Sequence, residues 1–439
     1  MTDLNRLAAD MQDLLTSTAD ALARDCGFVR RRRKVSGSNF AQALVFAALA
    51  EPLPTGGRLR AVAALIGLDA SRQAITKRLD ARAADFLRRL LAVAVTRAVT
   101  STVAIPLLRR FTSVVVRDST VVPLPAALAE TYRGGNSRTA AGPTAAVKLT
   151  VGLDLASGAL LGPELGDGRA GDLASGLAQA GPPPGGLQVA DLNYFCLAKF
   201  ARWQRAGASW LSRLKCKTAV FDEDGRRVEL VSWLRAAGEA DVDRRVVLGG
   251  QARRECRLIA RRVPERVAEL RRRRLREKAA DRGGPVSPVA LALCDWTILV
   301  TDVPPEKLSV EEAMALGRMR WQIELLFKLW KSGAGGIHRW SATRPDSVLC
   351  QLYAKLLAQV VRHWVIVAGA WSHADRSVTK AAHVVRMMAM SLALAMRSPR
   401  RLAGVLRAAR RLMGAVAHME RRKAHPNAHD MILCLGQSP

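Results

Sequence analysis

Three carboxylates carry the chemistry this sequence can do. Asp118 closes the apolar run Ser113-Val-Val-Val-Arg-Asp118, and Asp191 closes a second, Leu187-Gln-Val-Ala-Asp191, further along the chain. Side chains at strand ends leave the core, and ligand-binding and catalytic groups of α/β sheets gather there. Taken alone, either aspartate is more often a helix N-cap or a turn residue. The third acid, Glu324, lies on a bounded helix: Ser309-Val-Glu-Glu312 is a capping box and Gly333 a C-terminal stop. At about 100° per residue, Arg320, Glu324 and Lys331 share one stripe of that helix. Around them crowd Trp321, Ile323, Leu325, Leu326, Phe327, Leu329 and Trp330. A helix apolar on so many sides is buried, so its polar stripe must face a partner or a cavity. An i,i+4 pair of Arg320 with Glu324, worth about a few tenths of a kcal/mol, accounts for neither Lys331 nor the aromatic crowding. Three carboxylates brought together make an oxygen-only site, suited to Mg²⁺ or Mn²⁺ and not to zinc. Two such ions about 3.5–4 Å apart activate an attacking oxygen and stabilise a leaving oxygen at a phosphate. Arg320 and Lys331 beside Glu324 would hold substrate phosphates and favour the ionised carboxylate.

The charge of the whole chain agrees with a phosphate substrate. Over 439 residues, Lys+Arg 68 against Asp+Glu 38 leaves +30 with His neutral. Such a balance marks a protein that works against a polyanion, so nucleic acid is the expected partner. The length suggests about three domains on the prior of about 150 residues each. The seven cysteines are scattered without a CxxC pair, which argues against a disulfide scaffold or a zinc finger. The N-terminus, MTDLNRLAADMQDLL, carries acids where a signal peptide needs a basic start and an apolar block. Trp364 to Trp371 and Val384 to Met396 fall short of the roughly 20 apolar residues that span a bilayer. The expectation is a soluble, cytoplasmic protein working at the nucleoid, with no membrane partner.

The elements that must position these groups follow from periodicity. Residues 1–108 read as a helical, DNA-binding domain, within which Leu59 to Ile66, the turn at Gly67, and Ser71 to Phe86 read as helix, turn, helix. An ordinary pair of helices fits the same spacing. The run Arg30 to Lys34 is either a phosphate contact or a solvated face. Residues 109–206 read as an α/β domain: a strand ending at Asp118, a hairpin over Ala145 to Leu155 and Ala159 to Leu165, a helix near Asp172 to Ala180, and a strand ending at Asp191. Residues 207–308 read as a β-rich insertion with strands at Trp210 to Leu214, Arg244 to Leu248, Arg257 to Arg262 and Trp296 to Thr301, interrupted by a basic helix, Pro264 to Ala280. Residues 309–345 hold the helix with Glu324, and 346–439 a helical region that includes Leu352 to Ala370. The tail from His418 to His429 concentrates histidines, as a metal site or as a solvated basic tail.

The segment Arg318-Met319-Arg320-Trp321-Gln-Ile-Glu324-Leu-Leu-Phe-Lys328-Leu-Trp330-Lys331 resembles the signature helix of DDE transposases of bacterial insertion sequences, in the branch called insertion-sequence family four. That motif runs Tyr, two residues, Arg, three residues, Glu, six residues, Lys. Arg320, Glu324 and Lys331 match it, and Gly317 stands at the Tyr position. Asp118 in Arg-Asp-Ser-Thr and Asp191 in Ala-Asp-Leu-Asn-Tyr-Phe resemble the two catalytic aspartates, and the long gap from 191 to 324 fits a β-strand insertion.

The resemblance implies an α/β fold: a ribonuclease-H-like catalytic core with a large β-rich insertion, flanked by all-α N-terminal and C-terminal regions. It implies cut-and-paste transposition, with Asp118, Asp191 and Glu324 as catalytic and metal-binding residues for two Mg²⁺ or Mn²⁺ ions. Cleavage at the element ends would pass through a DNA hairpin before strand transfer into target DNA. The partners implied are double-stranded DNA, as terminal inverted repeats and as target, and a second copy of the chain in the synaptic complex. Trp296 resembles a tryptophan that assists a flipped base at the hairpin tip, although a core strand residue is equally consistent with its place. Trp321 and Arg213 resemble positions that contact the hairpin end. The departure at Gly317 removes a phosphate-contacting hydroxyl. Two other readings of the chain are a catalytically inactive DNA-binding regulator derived from a transposase, and a general ribonuclease-H-like nuclease.

Overall fold

Residues 3–420, except 32–33, 136–143, 282 and 333–334, are described by the computed structural model. Arg32, Arg33, Gly333, His425, His429 and Cys434 therefore lie outside the described residues. The chain opens with helices α1 (Leu4–Asp13), α2 (Ala19–Asp25), α3 (Gly37–Ala50), α4 (Gly56–Leu65), α5 (Arg72–Lys77) and α6 (Ala81–Thr96). Side-chain caps set most of their starts: Asp3, Ser36, Thr55, Ser71 and Asp80 each accept a backbone N–H of the first turn. The expected single helix from Ser71 to Phe86 is two. Asp80, in an extended conformation, accepts from Ala83 N at 2.9 Å and so starts a new helix where periodicity alone reads on. In α5, Arg72, Gln73, Thr76 and Lys77 remain exposed, with only Ile75 buried.

A mixed α/β region follows. After α7 (Pro106–Arg109) come β1 (Val114–Leu124), the hairpin β2 (Ala145–Asp154) and β3 (Leu160–Asp167), α8 (Gly176–Gln179), β4 (Leu187–Ala190), α9 (Leu197–Arg205), β5 (Ser209–Arg213), β6 (Val220–Phe221), α10 (Leu230–Ala236), β7 (Asp241–Leu248), β8 (Arg254–Arg262), α11 (Glu265–Ala280), α12 (Pro288–Ala292) and β9 (Trp296–Thr301). The chain then runs through α13 (Val310–Met319), α14 (Trp321–Lys331), α15 (Pro345–Ala370), α16 (Val378–Met387), α17 (Ala389–Ala395) and α18 (Pro399–Val416). Two expectations change. The helix near Asp172 to Ala180 is only the single turn α8. The helix expected without interruption from Ser309 divides at Arg320, which caps α13 with αR dihedrals and precedes α14. No single helix among the described residues is long and apolar enough to cross a membrane.

Two compact units share this chain. One takes in the stretch up to Ala104, Asp118–Leu177, and the described chain from Gln322; the other takes in Ile105–Arg117 and Ala178–Trp321. The first unit is organised on α15, which packs against α3, α6, α16 and α18 and is buried along nearly its whole length. Its buried polar side chains bond backbone carbonyls: Lys355 to Gly336 at 3.1 Å, Arg362 to Leu49 at 3.2 Å, and His363 Nε2 to Gly158 at 2.7 Å. A buried polar group that finds such partners avoids most of the desolvation cost. The hairpin β2–β3 belongs to this unit, with Val147 opposite Asp167 and Leu153 opposite Leu160.

The second unit is a run of paired strands. β1 pairs parallel with β4 through Val114–Leu187 to Val116–Val189, and β4 pairs parallel with β5 from Leu187–Ser209 to Ala190–Ser212. Parallel strands buried on both faces read as continuous apolar runs, and β4 is buried at every residue. The rest is antiparallel, in the order β5, β9, β8, β7, β6. Strand β5, expected within the insertion, thus pairs directly with β4.

Candidate active site

Asp191 stands where β4 leaves the core. It precedes the single 3-10 turn Leu192–Tyr194 with extended dihedrals, and its side chain makes no capping bond there. The commonplace reading of such an aspartate as a cap therefore fails, and the carboxylate is available for other work. Arg320 Nε lies 3.6 Å from Asp191 Oδ1, with 19% and 22% of the two side chains exposed. An ion pair this far out of solvent is screened less than a surface pair, so Arg320 holds the charge of Asp191 in place.

The second unit also buries the cations Arg117 and Lys199. Arg117, between Val116 and Asp118 in the chain, bonds Gln188 Oε1 on β4 and the Gly181 carbonyl at 3.4 Å. Burial pushes its guanidinium down to about 10. Lys199 on α9 bonds the Ala178 carbonyl and lies 5.2 Å from the ring centre of Trp203; burial, more than the nearby Arg117, pushes its ammonium down to about 8.

Asp118 is placed differently from expectation. It does not end its strand: β1 continues to Leu124, although its parallel pairing with β4 stops at Val116. Asp118 is half-buried, and its Oδ1 accepts the Ser119 N–H at 2.8 Å. Next to it is a group that sequence reasoning missed. Ser119 Oγ donates to Asp172 Oδ1 at 2.5 Å, and Lys148 Nζ donates to the same oxygen at 3.0 Å. Burial opposes the ionisation of Asp172, but the Ser119 hydroxyl and the Lys148 ammonium outweigh it and hold the carboxyl below the usual carboxylate range. The available signal was a lysine amid the apolar residues of β2, since a cation in such a strand needs a partner.

Glu324 lies in the first turn of α14, where the helix dipole favours an acid. It is half-buried, and Ile323, Leu326, Phe327, Leu329 and Trp330 bury the helix around it. Lys331, in the last turn, is half-buried, and burial lowers its ammonium from the ordinary range. Among the described residues no three His, Cys, Asp or Glu side chains form a ready metal-holding group. Among the site residues the structure pairs Asp191 with Arg320.

The remaining candidates divide by exposure. Trp321 is exposed at 49% and follows Arg320 directly, as a stacking residue requires. Arg213 ends β5 with an exposed side chain. Trp296 is 6% exposed and belongs to the core of β9 in this conformation. Stacking on a base would require it to leave that position. Gly317 has a local reason: a Cβ there would lie 3.3 Å from Leu299 Cδ1, so the absent side chain lets α13 approach β9. His418 pairs with Asp375 at 2.8 Å and with the Gly414 carbonyl at 2.6 Å, which closes the end of α18.

Comparison with known proteins gives the family. Residues 109–361 match the family model described as transposase DDE domain. The chain is 27% identical over 367 residues to the transposase for insertion sequence element IS231C of Bacillus thuringiensis subsp. berliner, covering 79% of this chain and 76% of the relative. It is 25% identical over 383 residues to the transposase for IS231F of Bacillus thuringiensis subsp. israelensis, covering 81% and 79%. A shorter match, 21% over 198 residues, reaches the transposase for IS1151 of Clostridium perfringens and covers 41% and 42%. The family match spans more than half of the chain, and the chain therefore belongs to the DDE transposases of insertion sequences, enzymes that cleave DNA and transfer its strands.

Proposed function

We propose that this transposase moves its element by cut-and-paste, cleaving at the terminal inverted repeats through a DNA hairpin and joining the freed ends to target DNA. The observation that carries the reading is Asp191: a strand-end carboxylate unused in capping and held by Arg320, the arginine of the family motif. In this reading residues 109–206 and 309–345 form a ribonuclease-H-like core, 207–308 the β-rich insertion, 1–108 the DNA-binding domain and 346–439 the C-terminal helical region.

Asp118, Asp191 and Glu324 would hold Mg²⁺ or Mn²⁺. The donor set fits: all three are carboxylates, Asp118 and Glu324 are half-buried, and Asp191 is not spent on a helix cap. Oxygen-only donors match a hard divalent cation. Two ions bound there would supply activation of the attacking oxygen and charge stabilisation on the leaving one. The chain's own groups do the rest. Arg320 orients Asp191 and, with Lys331, neutralises substrate phosphate. Lys331, whose ammonium is partly desolvated, interacts more strongly with a phosphate than a solvated lysine does. Trp321 offers an exposed ring and Arg213 a cation to the hairpin end, and Trp296 assists the flipped base once it leaves its packed position. The enzyme would work at the nucleoid, as a homodimer in the synaptic complex.

The test is to incubate the full chain with its own element ends and Mg²⁺. Nicked and hairpinned products are expected, and they should vanish in Asp118→Ala, Asp191→Ala and Glu324→Gln while end binding persists. End binding without strand breakage by the wild-type chain refutes the reading. Degradation of duplexes that lack the terminal repeats would make it a general nuclease instead.

A further inference from the structure

Helix α11 carries a charge arrangement that the mechanism above leaves unused. Its sequence, from Glu265 to Ala280, is rich in arginine, and the helix sorts those arginines onto two faces. Arg271 and Arg272 are half-buried on the side of the buried Ala268. Arg271 donates to the Trp296 carbonyl at 2.8 Å and to Thr297 Oγ1 at 2.9 Å, and Arg272 bonds Asp295. These two fasten the helix to the start of β9. Arg272 also bonds Glu265 at 2.7 Å and Glu269 at 3.2 Å, so two of the helix's acids are committed to it.

At about 100° per residue, Arg266 and Arg273 share the face opposite Ala268, with Arg274, Arg276 and Lys278 on its flanks. All five are exposed. The third acid of the helix, Glu277, stands 3.7 Å from Arg273 and offsets part of one charge. The exposed side of α11 thus carries five cations, with Glu277 among them and with Glu265 and Glu269 paired to Arg272.

We propose that the outer face of α11 is the docking surface for target DNA, held through its phosphates. The assignment rests on the reading of strand transfer into target DNA given above. Charge complementarity selects a polyanion. Arg266 and Arg276 lie about 15 Å apart along the helix axis, on the order of the roughly 12 Å major-groove width, a spacing that suits phosphates on both sides of a groove. The helix contains no Ser, Thr, Asn or Gln. Contacts made to phosphates position a duplex without reading its sequence. That suits DNA whose sequence changes with each insertion, and it does not suit a fixed terminal repeat.

The test uses the full chain with Arg266→Gln, Arg273→Gln, Arg274→Gln and Arg276→Gln combined, all exposed positions that leave Arg271 and Arg272 in place. Binding to a random-sequence duplex is measured against salt, and strand transfer of pre-cleaved ends is measured beside cleavage of intact ends. The slope of log affinity against log salt should fall by about 0.9 for each phosphate that the variant no longer neutralises, and strand transfer should fall about tenfold or more while end cleavage changes less than about twofold. An unchanged salt slope and unchanged strand transfer overturn the proposal. An equal loss of end cleavage also overturns it, by assigning the surface to the terminal repeat. If the wild-type chain fails to cleave its ends, the proposed function falls, while the random-duplex slope still decides whether α11 holds DNA.

Discussion

Arg320 Nε approaches Asp191 Oδ1 to 3.6 Å, which links the arginine of the signature segment to the carboxylate at the end of β4. Without Arg320 a largely buried carboxylate loses its cation and its orientation. Arg320→Ala is expected to slow end cleavage by about 10²–10³, the loss typical of removing one preorganised electrostatic partner. Arg320→Lys keeps the charge without the planar fork and should recover part of that rate. Initial rates on intact ends decide it, and wild-type rates in Arg320→Ala would remove this arginine from the site.

Gly317 occupies the motif position where the family pattern has tyrosine, and a Cβ there would press on Leu299 at 3.3 Å. Restoring the aromatic crowds Leu299 at the contact of α13 with β9. Gly317→Tyr should therefore destabilise the chain by about 1–3 kcal/mol, the usual cost of overpacking. Leu299→Ala should be less damaging in the tyrosine background than in the wild type. A double-mutant cycle by denaturant unfolding reads the coupling, and strict additivity would refute the packing explanation.

His363 sets a pH dependence. Its Nε2 donates to the Gly158 carbonyl at 2.7 Å, and burial pushes its protonation down to about 4 from an ordinary value of 6.5. Between those values the unfolded chain binds more protons than the folded one. The stability from this group is therefore fully present above about 6.5 and is lost as pH falls toward about 4, at up to about 1.4 kcal/mol per pH unit. His363→Gln keeps a donor without a titrating ring. Unfolding free energies at successive pH values should be flatter across this window in the variant, and equal slopes would contradict the assignment.

Asp80 separates α5 from α6 by accepting from Ala83 N at 2.9 Å. Asp80→Ala should cost about 1 kcal/mol through the lost cap, whereas Asp80→Asn should cost little. Thermal unfolding of the two variants distinguishes capping from a charge effect, since only a charge effect would penalise both alike.

Much of this architecture is legible in the amino-acid order because it depends on local periodicity. Strand β9 runs from Trp296 to Thr301 as read, the hairpin β2–β3 turns where Ala156, Ser157 and Gly158 indicate, and α11 fills the basic stretch. Errors arose where a single side chain interrupts a pattern. Asp80 restarts a helix that apolar spacing would continue, and Arg320 caps α13 inside a stretch whose composition favours one helix. Strand β1 runs past Asp118 because alternation resumes beyond it, with Thr120, Val122 and Leu124 buried and Val121 and Pro123 exposed.

The order of residues by itself determined the chemistry on offer: three acids, the arginine and lysine spaced around Glu324, and a positive charge suited to DNA. These are properties of residue type and spacing, which the chain carries in any conformation. Only the tertiary structure decided that Asp191 meets Arg320, that Ser119 and Lys148 converge on Asp172, that Trp296 is packed inside while half of Trp321 is exposed, and that the arginines of α11 divide between anchors and an exposed side. Such pairings depend on which long-range surfaces bury one another, and burial and partner choice are set by packing across the whole unit.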